Sequence, residues 1–312
     1  MDNICHTLVG AALGKAGLEK RTPLAMATLL IGANLPDVDA LAYFWGSGTA
    51  LAFRRGWTHG VLALALWPFL LTAAMLAWDR GVRRRRHPEA EPARPGALLL
   101  LAAVSILTHP FLDWLNNYGL RWLMPFRDVW YYGDTLYIVD PWIWLALGLG
   151  VAVSRWQKKT RPARIALAAV SVYILILGLS NLAARRLAEH KLAEAGTPAV
   201  RLMTGPVPLT PLRRQIVADL GDRYAVGTLK WLPRPMFFLK AAGIPKGDGH
   251  PAVAAAARLR GPASFLHWSR FPFFRVEERP ETWIVHMMDA RYTSRPGRGL
   301  GARVVEVRKD PL

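Results

Sequence analysis

The stretch GWTHGVLALALWPFLLTAAMLAW, residues 56–78, contains no Asp, Glu, Lys or Arg. A helix of about 20 mostly apolar residues crosses the ~30 Å hydrocarbon core of a bilayer. Outward from it, residues 95–112, 141–154 and 165–184 are equally free of those charges. Segments 59–78 and 165–184 are long enough by themselves. The run 95–112 reaches that length by continuing into the amphipathic 113–124. The run 141–154 does so with Arg155 and Trp156 as a snorkelling flank. Two N-terminal stretches, 3–18 and 22–35, are apolar but shorter, and predict a short helical hairpin dipping into the bilayer. The whole chain has 312 residues, 52% hydrophobic, with 40 Lys and Arg against 22 Asp and Glu, a net charge of +18. Such hydrophobicity excludes a disordered chain. A single Cys, Cys5, excludes an internal disulfide framework and a Cys-rich zinc site. No cleavable signal peptide is expected, because Asp2 precedes the first Lys, Lys15, and no small-residue cleavage site follows.

The basic residues supply an orientation. Lys15, Lys20 and Arg21 join the two short helices. Arg80 and the run Arg83, Arg84, Arg85, Arg86 follow the 59–78 span, and Lys158, Lys159, Arg161 and Arg164 separate the last two. Placing all three clusters in the cytoplasm obeys the positive-inside rule. The helices then alternate, and both termini lie outside the cytoplasm, although Arg185 and Arg186 fall on the outer side. An arginine run beside a span reads as a membrane-surface flank, so no nucleic-acid partner is expected.

Residues 185–312 have another texture. Pro and Gly recur, and segments 213–219, 223–231, 272–277, 282–289 and 302–308 mix β-branched and aromatic residues with charges. Residues 282–289 (TWIVHMMD) predict a strand, and 251–260 (PAVAAAARLR) a helix opened by proline. The expected fold is therefore a membrane all-α helical bundle, with about four spanning helices plus the N-terminal hairpin, over residues 1–185. A linker helix over 186–199 leads to a small soluble α+β domain, 200–312, outside the cytoplasm.

Ionisable residues at membrane depth are costly and default to function. Here they are His6, Asp37 and Asp39 in NLPDVD, His59 in RRGWTH, His109 and Asp113 in HPFLD, and Asp134 and Asp140 in the loop before residue 141. On the topology above all fall at the outer ends of their helices, a placement made from the basic residues alone. His109 and Asp113 are spaced i,i+4, on one helical face. Pro36 ends the preceding helix and puts Asp37 and Asp39 on irregular backbone. Strand-like alternation would point those two apart, so they share one site only if the loop turns or each meets a different metal. Three His and several carboxylates with no Cys cluster suit Zn²⁺ or a similar divalent ion, or more than one. No GxSxG, P-loop or GxGxxG occurs.

The ordered set MDNICHTLVGAALG, GANLPDVD, RRGWTH, HPFLDWLNNYG and VDPW resembles the bacterial membrane-bound metal-dependent hydrolase family, the LexA-regulated inner-membrane hydrolases, over about residues 1–185. That family is thought to be distantly similar to zinc-dependent phospholipase C and the P1-type nucleases. The resemblance implies His6, Asp37, Asp39, His59, His109 and Asp113 as metal ligands, with Asp140 as an additional candidate, and one to three zinc-like ions. One position departs from the pattern. Members often carry HRGxTH, and Arg54 stands where the first His would be. Arg54 or Arg55 can instead clamp a phosphate bidentately.

The expected activity is hydrolysis of an ester or phosphodiester in a lipid or lipid-linked substrate by metal-activated water, with Asp39 or Asp37 helping to deprotonate it. The alternative is a non-enzymatic membrane protein whose His/Asp cluster is a structural metal or ion-binding site, with the C-terminal domain binding a partner.

Overall fold

The computed structural model describes residues 1–292 and 302–309. The chain divides into two compact units. One comprises Met1–Asp39 and Arg54–Leu179, the other Ala40–Phe53 and Ser180–Leu312.

The first unit is helical. Helix α1 (Asn3–Lys15) is capped by the Asp2 carboxylate, which accepts from the backbone of Ile4 and Cys5. Helix α2 (Ala25–Asn34) runs on into a 3-10 segment, Leu35–Trp45. Helix α4 (Val61–Trp78) continues through a π turn, Asp79–Arg83, into the single turn α5 (Arg84–Arg86). The arginine cluster is tied down there by buried Asp79, which pairs with Arg83 at 2.6 Å and Arg84 at 3.1 Å. Helix α6 (Pro95–Trp114) packs against both α2 and α4, while α1 packs on α2 and on α7 (Pro141–Gln157). Helix α8 (Arg161–Glu194) belongs to this unit only as far as Leu179.

Among the described residues, four helices are long and apolar enough to cross a membrane: Ala25–Trp45, Val61–Arg86, Pro95–Trp114 and Arg161–Glu194. The sequence reading had α7 among its four and α2 in a short hairpin. Pro36 does not stop the chain's helical path, so α2 and its 3-10 extension reach spanning length, whereas α7 has 17 residues. Large apolar side chains point outward along these helices, including Leu66, Phe69, Leu70, Leu107, Val172, Leu175 and Ile176. In water that surface would be a liability, but in hydrocarbon it is the expected exterior.

The second unit is α+β. Strands β1 (Arg201–Val207), β2 (Thr210–Asp219), β3 (Arg223–Lys230) and β4 (Met236–Leu239) form an antiparallel sheet in that order, with β5 (Ile244–Pro245) also pairing β3. Strands β6 (Pro272–Glu278), β7 (Thr282–Asp289) and β8 (Ala302–Arg308) form a second antiparallel sheet. The expected strands appear. β1 was not anticipated, because Gly205 and Pro206 read as breakers, and it is tolerated as an edge strand. The helix expected over 251–260 is α9 (Pro251–Ala257), and a separate α10 (Arg260–Trp268) follows.

Two boundaries differ from the sequence reading. The linker helix expected over 186–199 is the end of α8, which runs to Glu194, and it packs within the second unit: Ala184, Ala188 and Leu192, one turn apart, are buried with Leu202, Ile216, Ala218, Ala225 and Leu229 of the first sheet. The segment Ala40–Phe53, drawn from the middle of the membrane half, also belongs to this unit. Its helix α3 (Ser47–Phe53) packs on α10, where Gly48 approaches Gly261 so closely that a Cβ would stand 2.8 Å from the Gly261 Cα.

Candidate metal centre

Helices α2 and α6 meet at Gly32, where a Cβ would lie 2.1 Å from Ser105 Oγ. Glycine allows that approach without displacing the Ser105 hydroxyl or pressing on Leu71. It sets the Ala33 carbonyl 2.7 Å from His109 Nδ1, one turn further along α6. His109 Nδ1 therefore carries the proton, and Nε2 presents a bare lone pair. Asp113 follows one turn later on the same face.

The third side of the site is the turn 54–60 that leads into α4. Asp39 organises it. Its Oδ2 accepts from the Arg55 backbone N–H at 2.7 Å and from the Thr58 hydroxyl at 2.9 Å, and lies 3.3 Å from His59 Nδ1. His59 Nδ1 is also 2.9 Å from Thr58 Oγ1. With its hydroxyl proton given to Asp39, Thr58 accepts from His59 Nδ1–H, so His59 Nε2 too is a lone pair. The two Nε2 atoms face each other at 3.1 Å.

Two carboxylate oxygens complete the group. Asp113 Oδ2 is 3.4 Å from His59 Nε2 and 3.5 Å from His109 Nε2, with no hydrogen-bond partner among the described residues. Asp37 Oδ1 is 3.8 and 3.7 Å from the same nitrogens. All four ligand atoms lie within 4.8 Å of one another. A tetrahedral ion with bonds of about 2.0–2.1 Å spaces its ligands about 3.3 Å apart. Two opposed imidazole lone pairs and an unpartnered buried carboxylate oxygen repel unless a cation lies between them, so the donor set fits a divalent metal.

The other Asp113 oxygen holds the charges around the group. Oδ1 pairs with the Met1 amino group and with Arg55 Nη2, the latter at 3.0 Å. Arg55 is buried, lies over the Tyr118 ring and donates to Asn116 Oδ1 and the Gly119 carbonyl. Asn116 Oδ1 also accepts the backbone N–H of Tyr118 and Gly119. Arg55 has φ +52, the left-handed region, and Arg121 braces that turn by donating to the Arg54 carbonyl at 2.9 Å.

Of the residues singled out in the sequence, Asp37, His59, His109 and Asp113 converge. His6 stands beside them: it stacks on His109 with ring centroids 3.7 Å apart, and its Nε2 is 3.3 Å from Asp113 Oδ1. Asp39 stands behind His59, outside the four-atom group. Pro36 did not leave the two carboxylates on strand-like backbone: on a 3-10 turn Asp37 meets the Nε2 side of His59 and Asp39 the Nδ1 side. Asp140 is elsewhere. It caps α7 through the Trp142 and Ile143 N–H groups and accepts from the Tyr173 hydroxyl. Arg55 is buried against Asp113 and is not offered to a ligand, whereas Arg54 is one-fifth exposed and reaches Asp37 and Asp39 at 3.4 Å each. Thr58, Asn116 and Arg121 were not anticipated. Thr58 and Asn116 stand inside motifs already quoted, RRGWTH and HPFLDWLNNYG, but are uncharged, while Arg121 lies two residues beyond the second motif, so only their place in or beside those motifs could have marked them.

A bundle of long apolar helices with a buried His/Asp cluster at one end defines a membrane protein with a possible metal site. The family model described as "YdjM inner membrane protein" matches residues 1–184, and the chain belongs to that family. It is thus an inner membrane protein with four candidate spans. It is similar to the "Uncharacterized protein YfhP" of Bacillus subtilis (strain 168), 24% identical over 188 residues, which cover 57% of this chain and 52% of the relative. The chain thus spans about half the length of that curated relative. No solved structure matches it.

Proposed function

We propose that the protein is a membrane metal-dependent hydrolase that cleaves an ester or phosphodiester in a lipid or lipid-linked substrate. The observation that carries this reading is the set of four ligand atoms, two imidazole nitrogens and two carboxylate oxygens, turned toward one point. His59, His109 and Asp113 would hold a zinc-like ion, with Asp37 at the edge of its shell and His6 beside it as a further candidate ligand. When bound, such an ion lowers the pKa of water and polarises an ester or phosphoryl oxygen.

The chain's own residues supply the rest. Asp37 has the longest separations within the group, and its side chain alone there retains exposure, 6% against none for the other three. It lies at the open edge and is placed to accept a proton from an attacking water. Asp39 is already engaged by the Arg55 N–H, Thr58 and His59, so it acts as the positioning carboxylate. Arg54, partly open, orients an anionic group beside Asp37. The basic clusters at the opposite end of the bundle support an orientation with that end in the cytoplasm and with the centre and the C-terminal unit outside it.

Four protein donors also fill a tetrahedral shell, as structural sites do. This favours a second reading, in which the ion is held and not used. The two part on an assay of detergent-purified protein with a short-chain phosphodiester and a phospholipid. Hydrolysis lost on chelation and restored by one divalent ion per chain supports the enzyme. A fully metal-loaded protein that hydrolyses neither supports the structural site.

A further inference from the structure

Helices α2 and α4 both pack on α6 and pack much less against each other. Between them lies a groove of about 580 Å³ lined by Leu24, Ala27, Ile31 and Leu35 of the α2 strand of the bundle, and by Trp67, Leu71, Met75 and Trp78 among others on α4. The α2 residues fall three to four apart, on one helical face. No charged side chain lines the groove. Ile31, Leu70 and Trp78 are about half exposed, so its long side opens toward the bilayer.

Its two ends differ. Leu24 and Trp78 lie near the basic flanks of α2 and α4. At the other end Leu35 is two residues from Asp37, and Trp67 donates its indole N–H to the Thr58 carbonyl at 3.0 Å, next to His59. From Leu24 to Leu35 a helix rises about 16 Å at 1.5 Å per residue. A single acyl chain, two of which end to end make up the ~30 Å hydrocarbon core, has about that length. A chain lying in the groove would therefore carry its head group to the metal centre, where the group meets Arg54 and the site of a divalent cation. Both favour an anionic head, and a phosphate most of all.

We infer that this groove is the acyl-chain subsite of the enzyme, and that its occupant is a phospholipid of the surrounding bilayer entering sideways between α2 and α4. The inference rests on the hydrolase reading for the fate of the head group, while the binding of the lipid can be read independently. A water-soluble phosphodiester would use the metal centre and leave the groove empty.

The test uses the full-length, metal-loaded protein in detergent. Binding of dioleoyl phosphatidic acid and of dioleoylglycerol is followed by native mass spectrometry. Ala74→Trp and Ala27→Trp fill the groove with apolar volume and touch none of the ligands. Leu62→Trp, on an exposed part of α4 outside it, is the control. Wild type and Leu62→Trp are expected to hold one phosphatidic acid. Both groove variants should bind it at least about tenfold more weakly with unchanged metal content, and dioleoylglycerol should bind less well than phosphatidic acid to wild type. Groove variants that retain metal and bind the lipid as wild type does would overturn the inference, whether or not the protein hydrolyses anything. Groove-dependent binding would keep the subsite even where the metal-loaded protein hydrolyses neither a phosphodiester nor a phospholipid, a result that would remove the hydrolase reading alone.

Discussion

Asp113→Asn is expected to lose the metal. The carboxylate serves two purposes at once. Oδ2 is one of the four converging ligand atoms, and Oδ1 is the counter-charge for the buried Arg55 guanidinium and the Met1 amino group. The amide keeps the shape and removes the charge. Replacing an outer-shell partner of a metal ligand typically weakens binding about 10–100-fold. Loss of a ligand that also balances buried cations should exceed that, so affinity should fall at least about 100-fold. The uncompensated Arg55 should also cost about 3–5 kcal/mol of stability. Elemental analysis after purification in detergent, beside a thermal melt, reads both effects. A variant with normal metal content would mean that Asp113 serves only to neutralise Arg55.

The second large effect is at Asp39. Its carboxylate touches His59 from the Nδ1 side and fixes which nitrogen faces the metal. Asp39→Asn keeps an oxygen able to accept the Arg55 N–H but loses the charge that holds Thr58 and His59 in register. Metal affinity, measured by competition with a chelating indicator, should drop about 10–100-fold. The metal-free protein should melt within about 1 kcal/mol of wild type, since the backbone bond survives. Unchanged affinity would reduce Asp39 to a turn cap.

The membrane half was legible because charge-free runs of spanning length have few other uses, and because ionisable residues among them stand out. His59, His109 and Asp113 could be taken from that contrast alone. The division of labour between Asp37 and Asp39 could not, since it depends on a 3-10 turn after Pro36 that composition does not specify. Asp140 looked like a ligand because it opens a helix at the right depth. An aspartate before a proline-led helix is equally a cap, and the two uses look alike in sequence. Nor does the sequence show that α2 can come close enough to α6 for Ala33 to hold His109. That depends on Gly32, one of many glycines, and on its partner Ser105. The membership of Ala40–Phe53 in the C-terminal unit was hidden for a related reason. A short apolar segment between two membrane motifs reads as a loop, and only its packing on α10 reveals where it belongs.

The most direct test of the account is the metal content of the detergent-purified protein by elemental mass spectrometry, beside a His59→Ala/His109→Ala double variant. Removing both imidazoles takes away the two lone pairs that make the group a cation site. The account predicts one zinc-like ion per wild-type chain and none in the variant. No metal in the wild type even after supplementation, or equal metal in both proteins, would contradict it and leave the cluster as a polar network between helices.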